Sequence, residues 1–143
     1  MQNVYKKKTL VDLNVGDFAL FTKTISASDV MLFAGISGDL NPLYMNEKFA
    51  EATVFSHALA NPMLISSMIC GAAFRLLKTD FYPLSLSFDI VKPLLVGDTI
   101  TARAEVLAKD DKTNQVTLLL EAFNSNRELV VKGIALEQME IRK

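Results

Sequence analysis

Asn61-Pro62-Met63-Leu64-Ile65-Ser66-Ser67-Met68-Ile69-Cys70-Gly71-Ala72-Ala73-Phe74-Arg75-Leu76-Leu77-Lys78 is the stretch on which the fold turns. Pro62 suits the first position of a helix, where its missing N–H costs nothing. From Met63 to Leu77 only Arg75 is charged, and apolar or small residues occupy nearly every face. A helix of that kind must be surrounded by protein. Ser66, Ser67, Gly71, Ala72 and Ala73 are small enough to let a sheet approach closely. The run is too short, and too interrupted by Ser66, Ser67 and Arg75, to span a membrane.

Downstream the period changes from helical to alternating. Leu84, Leu86, Phe88 and Ile90 alternate with Ser85, Ser87, Asp89 and Val91, which predicts a strand with one buried face. Val96-Gly97-Asp98 is a turn. Ile100, Ala102, Ala104 and Val106 mark a second strand, and Asp110 to Asn114 a polar turn. Val116 to Phe123 is a third strand, and Leu129 to Met139 a fourth, with Gly133 at an expected bulge. The hairpin spacing predicts an antiparallel meander.

Upstream, Val15-Gly16-Asp17 turns into a strand over Phe18 to Ile25. Ser26-Ala27-Ser28-Asp29 is a capping-box pattern that starts a helix reaching about Ile36, with Val30, Phe33 and Ala34 on one face. Phe33, Phe74 and Phe88 fall at core positions by periodicity. Ser37-Gly38 ends that helix. Asn46 caps a short helix over Glu47 to Ala52, and a loop follows to Ala60. Between the two helices, Gly35 to Tyr44 predicts a tight, non-helical segment. It presents the Asp39 carboxylate, then the Tyr44 phenol five residues on.

Burial decides how these parts combine. A helix apolar on most faces needs a wrapper, and a five-stranded antiparallel sheet has one apolar face to offer. A curved sheet around a long central helix satisfies both: the α+β hot-dog fold, one domain over residues 1–143. Such a sheet keeps an edge strand, which a two-fold dimer would cover.

Composition bounds the chemistry. The 143 residues carry a net charge of −1, half are hydrophobic and 22% are charged. No basic excess exists to drive binding to nucleic acid or an anionic membrane. Lys6-Lys7-Lys8 is expected to be a solvated terminus, and no apolar run follows it as in a signal peptide. One cysteine, Cys70, excludes an internal disulfide and fits a cytoplasmic protein. One histidine, His57, excludes a two-histidine metal site, and no metal is expected.

The segments Ser37-Gly38-Asp39-Leu40-Asn41-Pro42-Leu43, Met45-Asn46-Glu47-Lys48-Phe49-Ala50 and Met63-Leu64 occur in this order. Leu84-Ser85-Leu86-Ser87-Phe88, Lys92-Pro93-Leu94 and Val96-Gly97-Asp98-Thr99 follow. Together they resemble the MaoC-like (R)-specific enoyl-CoA hydratases, over roughly Val11 to Leu136. The resemblance implies a dimeric hot-dog protein of fatty acid metabolism. Its substrate would be an acyl thioester of coenzyme A or acyl carrier protein, with no separate cofactor. In that family an Asp and a His hold the water that adds to C3 of the enoyl thioester. Main-chain N–H at the start of the long helix polarises the thioester carbonyl.

Carried over by position, Asp39 falls on the family's catalytic Asp. The family's His is here Tyr44, its His-Gly is here Asn61-Pro62, and a helix serine that bonds the thioester carbonyl is here Cys70. Asp39, Tyr44 and Asn61 are thus the expected catalytic positions, with Asn41, Pro62, Met63 and Cys70 along the substrate. Each departure has a chemical meaning. A phenol with a reference pKa of about 10 is a poor neutral-pH base. Pro62 has no N–H, and losing one oxyanion donor typically costs about 10²–10³ in rate. Cys70 is a weaker donor than Ser.

Three functions follow as expectations. One is a hydratase or dehydratase with a degenerate site. The second is a non-catalytic thioester-binding subunit, paired with itself or with an intact hydratase. The third, on fold analogy, is a thioesterase. His57 is expected as a solvent-facing loop residue, with a substitute base for Asp39 as its sharper alternative. Cys70 is expected as a small core residue rather than a nucleophile. Arg75, Lys92, Arg103 and Lys109 are the available cations for a nucleotide.

Overall fold

The computed structural model describes residues 8–78 and 80–140. Lys6 and Lys7 of the basic run lie outside them. Lys8 is anchored, its ammonium donating to the Leu76 carbonyl at 3.1 Å.

Five strands form one antiparallel sheet: β1 (Phe18–Thr24), β2 (Phe81–Ile90), β3 (Thr99–Asp110), β4 (Gln115–Phe123) and β5 (Leu129–Met139). Among the described residues four α-helices accompany them: α1 (Ala27–Ser37), α2 (Pro42–Met45), α3 (Glu47–Glu51) and α4 (Pro62–Leu77). The sheet order is β1-β3-β4-β5-β2. Ile100, Ala102, Ala104 and Val106 of β3, with Val116, Leu118, Leu120 and Ala122 of β4, make the concave face and are fully buried. Ile65, Ile69, Ala72, Ala73, Leu76 and Leu77 of α4 press into it. Ala72 and the strand alanines are short enough to let helix and sheet close up, and each large aliphatic buried there contributes about 1.5–3 kcal/mol.

The meander holds for β3, β4 and β5 but not for β2, which pairs with β5 at the far edge. The reason lies in the connection after β2. Ala60 N–H donates to the Leu94 carbonyl at 2.7 Å, and Val96 N–H to the Ala58 carbonyl at 3.0 Å. That strap crosses the sheet end beneath the start of α4 and delivers the chain to β3, past the two intervening strands β5 and β4.

Its edge position also overturns the buried face expected for β2. Leu86 and Ile90 pair with buried Ala135 and Val131 and share their concave side, yet are 44% and 48% exposed. α4 is not all-round buried either, since Met63 is 58% and Phe74 52% exposed. Phe74 therefore leaves the core that periodicity assigned it.

Gly133 is not at a bulge: it pairs in register with Leu120 and Phe88. A Cβ there would sit 2.2 Å from the Ser87 carbonyl and 2.7 Å from the Phe88 ring. The position is empty so that the ring can lie across the strand.

Candidate functional site

The site corner is assembled by four helix caps. Ser26 accepts from Asp29 N–H at 3.1 Å and starts α1, as the capping-box pattern predicts. Gly38, at φ 72°, ends α1 in the left-handed conformation that glycine adopts without strain. Asp39 follows at the turn. The segment after it is not wholly non-helical, because Asn41-Pro42 starts the single turn of α2. Asn41 Oδ1 accepts from Leu43 N–H at 3.0 Å, and Pro42 takes the first helical position. Asn61-Pro62 repeats the device for α4, Asn61 Oδ1 accepting from Met63 N–H at 2.9 Å.

The second Asn-Pro cap also holds the carboxylate. Asn61 is 4% exposed, and its Nδ2 donates to Asp39 Oδ2 at 2.9 Å. Asp39 Oδ1 accepts from Asn41 N–H at 3.3 Å. The half-buried Tyr44 packs against the core, and burial, with the nearby Asp39 charge, raises its phenol above the ordinary value of 10.0. At neutral pH Tyr44 is a hydrogen-bond donor and not a base. The sequence-predicted Asp39, Asn41, Tyr44, Asn61 and Pro62 are therefore brought together. Met63 joins through its backbone, while its side chain points to solvent.

The start of α4 decides what this corner can do. Pro62 has no N–H. Met63 N–H is capped by Asn61 Oδ1, and Leu64 and Ile65 N–H reach the Asn61 carbonyl at 3.0 and 3.3 Å. No main-chain donor in the first turn is left for an incoming carbonyl. Beside it opens a mostly apolar cavity of about 230 Å³, lined by Tyr44, Phe55, Pro62, Ile65, Ile90 and Lys92 among others.

Cys70 lies elsewhere within the chain. It lines a recess of about 120 Å³ with Ala73, Phe74, Leu77, Phe81 and Glu137. Burial first, and the Glu137 charge second, push its thiol above 9.0. It is protonated at neutral pH, which is the reverse of an activated nucleophile.

His57 is exposed and does not reach Asp39: its Nδ1 lies 2.9 Å from Glu47 Oε1. Glu47 Oε2 accepts from Ala58 N–H at 2.8 Å, so the pair pins the loop before α4. Of the proposed nucleotide cations, Arg75 stacks on Phe21 at 4.2 Å and Arg103 pairs with Glu105 and Glu121. Lys109 donates to the Leu10 carbonyl at 3.0 Å, and Lys92 pairs with Glu128 at 2.6 Å. Lys92 alone of the four lines the larger cavity. Among the described residues there is no group of three potential metal ligands, and no helix is long and apolar enough to cross a membrane.

Sequence reasoning missed Glu47 and Glu137. The signal for Glu137 was present: Val131, Gly133, Ala135 and Glu137 alternate onto the buried face, and only the last is charged.

The family model described as "MaoC like domain" matches residues 17–123. A curated "(R)-specific enoyl-CoA hydratase" of Aeromonas caviae is 35% identical over 130 residues, covering 89% of this chain and 96% of the relative. A mitochondrial "3-hydroxyacyl-[acyl-carrier-protein] dehydratase" of Arabidopsis thaliana is 31% identical over 130 residues, covering 87% of this chain and 74% of the relative. The solved (R)-hydratase of A. caviae superposes with a TM-score of 0.86 at 32% identity, covering 90% of this chain and 98% of that one. With fold, segment order and sequence in agreement, the chain belongs to the MaoC-like hydratase and dehydratase family.

Proposed function

We propose that this protein binds trans-2-enoyl or 3-hydroxyacyl thioesters of coenzyme A or acyl carrier protein, and that its hydration step is strongly attenuated. The observation that carries this is the start of α4. Every N–H of its first turn is committed, Pro62 has none, and the Asn61 amide is turned onto Asp39. Asp39 can order a water, and Tyr44 can donate to it. Neither removes a proton as an imidazole does, and no preorganised donor meets the carbonyl as charge develops on it. The apolar cavity beside Tyr44 and Pro62 still suits an acyl thioester. We infer two copies per molecule, joined at β2, where Leu86 and Ile90 are uncovered.

Crotonyl-CoA tests the function directly. Tight binding with enoyl loss at a small fraction of a typical hydratase rate is expected, and the residual rate should vanish in Asp39→Ala. Release of free thiol would instead make the protein a thioesterase. Fast hydration by the unaltered chain would overturn the attenuation. Tyr44→His combined with Asn61→His and Pro62→Gly should raise hydration about 10²-fold or more. If an intact hydratase added in equal amount forms a mixed dimer in preference to self-pairing, the chain is the binding half of a heterodimer.

A further inference from the structure

Two cavities lie side by side at the site corner, and one residue borders both. The larger, beside Pro62, is the one assigned above to the acyl thioester. A second, of about 170 Å³, is lined by Val30 and Met31 of α1, by Met45 and Glu47, and by Ala58 and Val96. The pairing of the strap with the loop before α4 fixes how far apart they are. Leu59 and Leu95 form an isolated antiparallel bridge. On one side of it Val96 N–H donates to the Ala58 carbonyl at 3.0 Å, and on the other Ala60 N–H donates to the Leu94 carbonyl at 2.7 Å. Ala60 and Leu94 line the larger cavity, Ala58 and Val96 the smaller. Positions two apart on an extended strand share a side and are separated by about 7 Å. Among the described residues, Tyr44 alone lines both cavities. Leu59 N–H donates to the Leu43 carbonyl at 2.9 Å, which holds Tyr44, the next residue, beside the bridge.

We propose that Tyr44 is the wall that sets the length of acyl chain this protein accepts. The chain fills the larger cavity and stops against the ring, which bars it from the smaller one. Tyr44 is half-buried and packed against the core, so its ring is held in place. The space behind it suits methylene groups. Its walls are apolar except for Glu47, whose carboxylate is already bonded to His57 and to Ala58 N–H. A chain entering there would strip no polar group of its partner, so bulk alone keeps it out. A copy paired at β2 leaves this arrangement intact. No residue of the smaller cavity belongs to β2, and the larger meets that strand only at its last residue, Ile90. The assignment rests on the thioester function proposed above and names its acyl class: unbranched chains that end at Tyr44, with longer ones excluded.

Saturated thioesters read chain length without turnover. Calorimetric titration of the full chain with alkanoyl-CoA esters of four to twelve carbons gives affinity against length. Each added methylene should tighten binding about fourfold until the chain meets Tyr44, and longer esters should gain nothing further. In Tyr44→Ala the gain should continue for about two more carbons or beyond. Tyr44→Leu keeps apolar contact with the core and should move the limit the same way, which covers a failure of the alanine variant to fold. Tyr44→Phe keeps the ring and should keep the limit, which separates bulk from the phenol hydroxyl. Ala27 is exposed and lines the smaller cavity, so Ala27→Leu in the Tyr44→Ala background should fill that space and restore the original limit. An unchanged limit in Tyr44→Ala and Tyr44→Leu overturns the assignment. So does a limit moved by Tyr44→Phe, a double variant that still takes the longer esters, or the absence of any limit in the unaltered protein. If no thioester binds at any length, the thioester function itself falls and this assignment with it.

Discussion

Glu137 stands where the alternation of β5 asks for an apolar side chain, and its cost to the fold can be read from its titration. Burial raises its carboxyl above the ordinary value of 4.5. A folded-state value above the unfolded one means that the native chain holds the proton more tightly. The stability this confers is fully present below about pH 4.5 and is lost as pH rises through the folded value. Glu137→Leu should therefore gain on the order of 1 kcal/mol at pH 8, where the partly desolvated carboxyl is charged, and less at pH 4. Cys70 and Lys78 face the same cavity, and burial keeps the thiol protonated at both values. Urea midpoints at the two pH values measure the difference, and a gain that does not change with pH would contradict it. Residue identities were legible in unequal measure. The exchange of imidazole for phenol at position 44 could be seen in the sequence. That the Asn61 amide turns onto Asp39 could not, because it depends on two segments meeting across 22 positions. Gly133 fits a bulge and a close approach equally well as a residue type, and only the Phe88 ring against it decides.

At the scale of elements, Asn-Pro is used twice for one purpose. In both copies the asparagine has φ near −55° and ψ near 125° (−53° and 126° at Asn41, −59° and 125° at Asn61), and its side chain caps the amide two residues on. Such local signals travel well from sequence to structure. The caps at Ser26 and Asn46, Pro62 at the first position of α4 and the run of β5 were all legible because each depends on neighbours within about four residues. Asn-Pro read as turn chemistry alone does not reveal the turn of α2. Asn61 joins a cap to the site, so the two roles need separate variants. Asn61→Ala should lower stability by about 1–2 kcal/mol. Asn61→Ser, an equally good cap, should recover most of that loss while leaving Asp39 without its amide. Thermal melts of the two variants check the stability, and residual crotonyl-CoA hydration reports the effect on Asp39. Equal destabilisation by both would show that the bond to Asp39, and not the cap, carries the stability.

For the whole molecule, alternation told which residues share a face but not what covers that face. The sheet wrapped on a helix followed from burial alone. The place of β2 did not, since it depends on a strap that carries the chain across the sheet end. What the strap leaves is an edge strand with Leu84, Leu86 and Ile90 each 44–49% exposed, and beside it Met63 and Phe74 of α4 more than half exposed. Single exposed apolar residues are ordinary on a protein surface, but an edge strand with unpaired backbone groups and a run of large aliphatics is an association site. A two-fold axis perpendicular to the sheet beside β2 would pair the edge with its own copy and bring the same patch of each chain together, as a closed dimer requires. Sedimentation at tens of micromolar should accordingly show a dimer. Leu86→Asp, which places a charge at the centre of the strand, should dissociate it while the far-edge substitution Leu20→Asp should not. A monomer in the unaltered protein would remove the basis for a β2 dimer. A dimer broken by Leu20→Asp and not by Leu86→Asp would move the interface to β1.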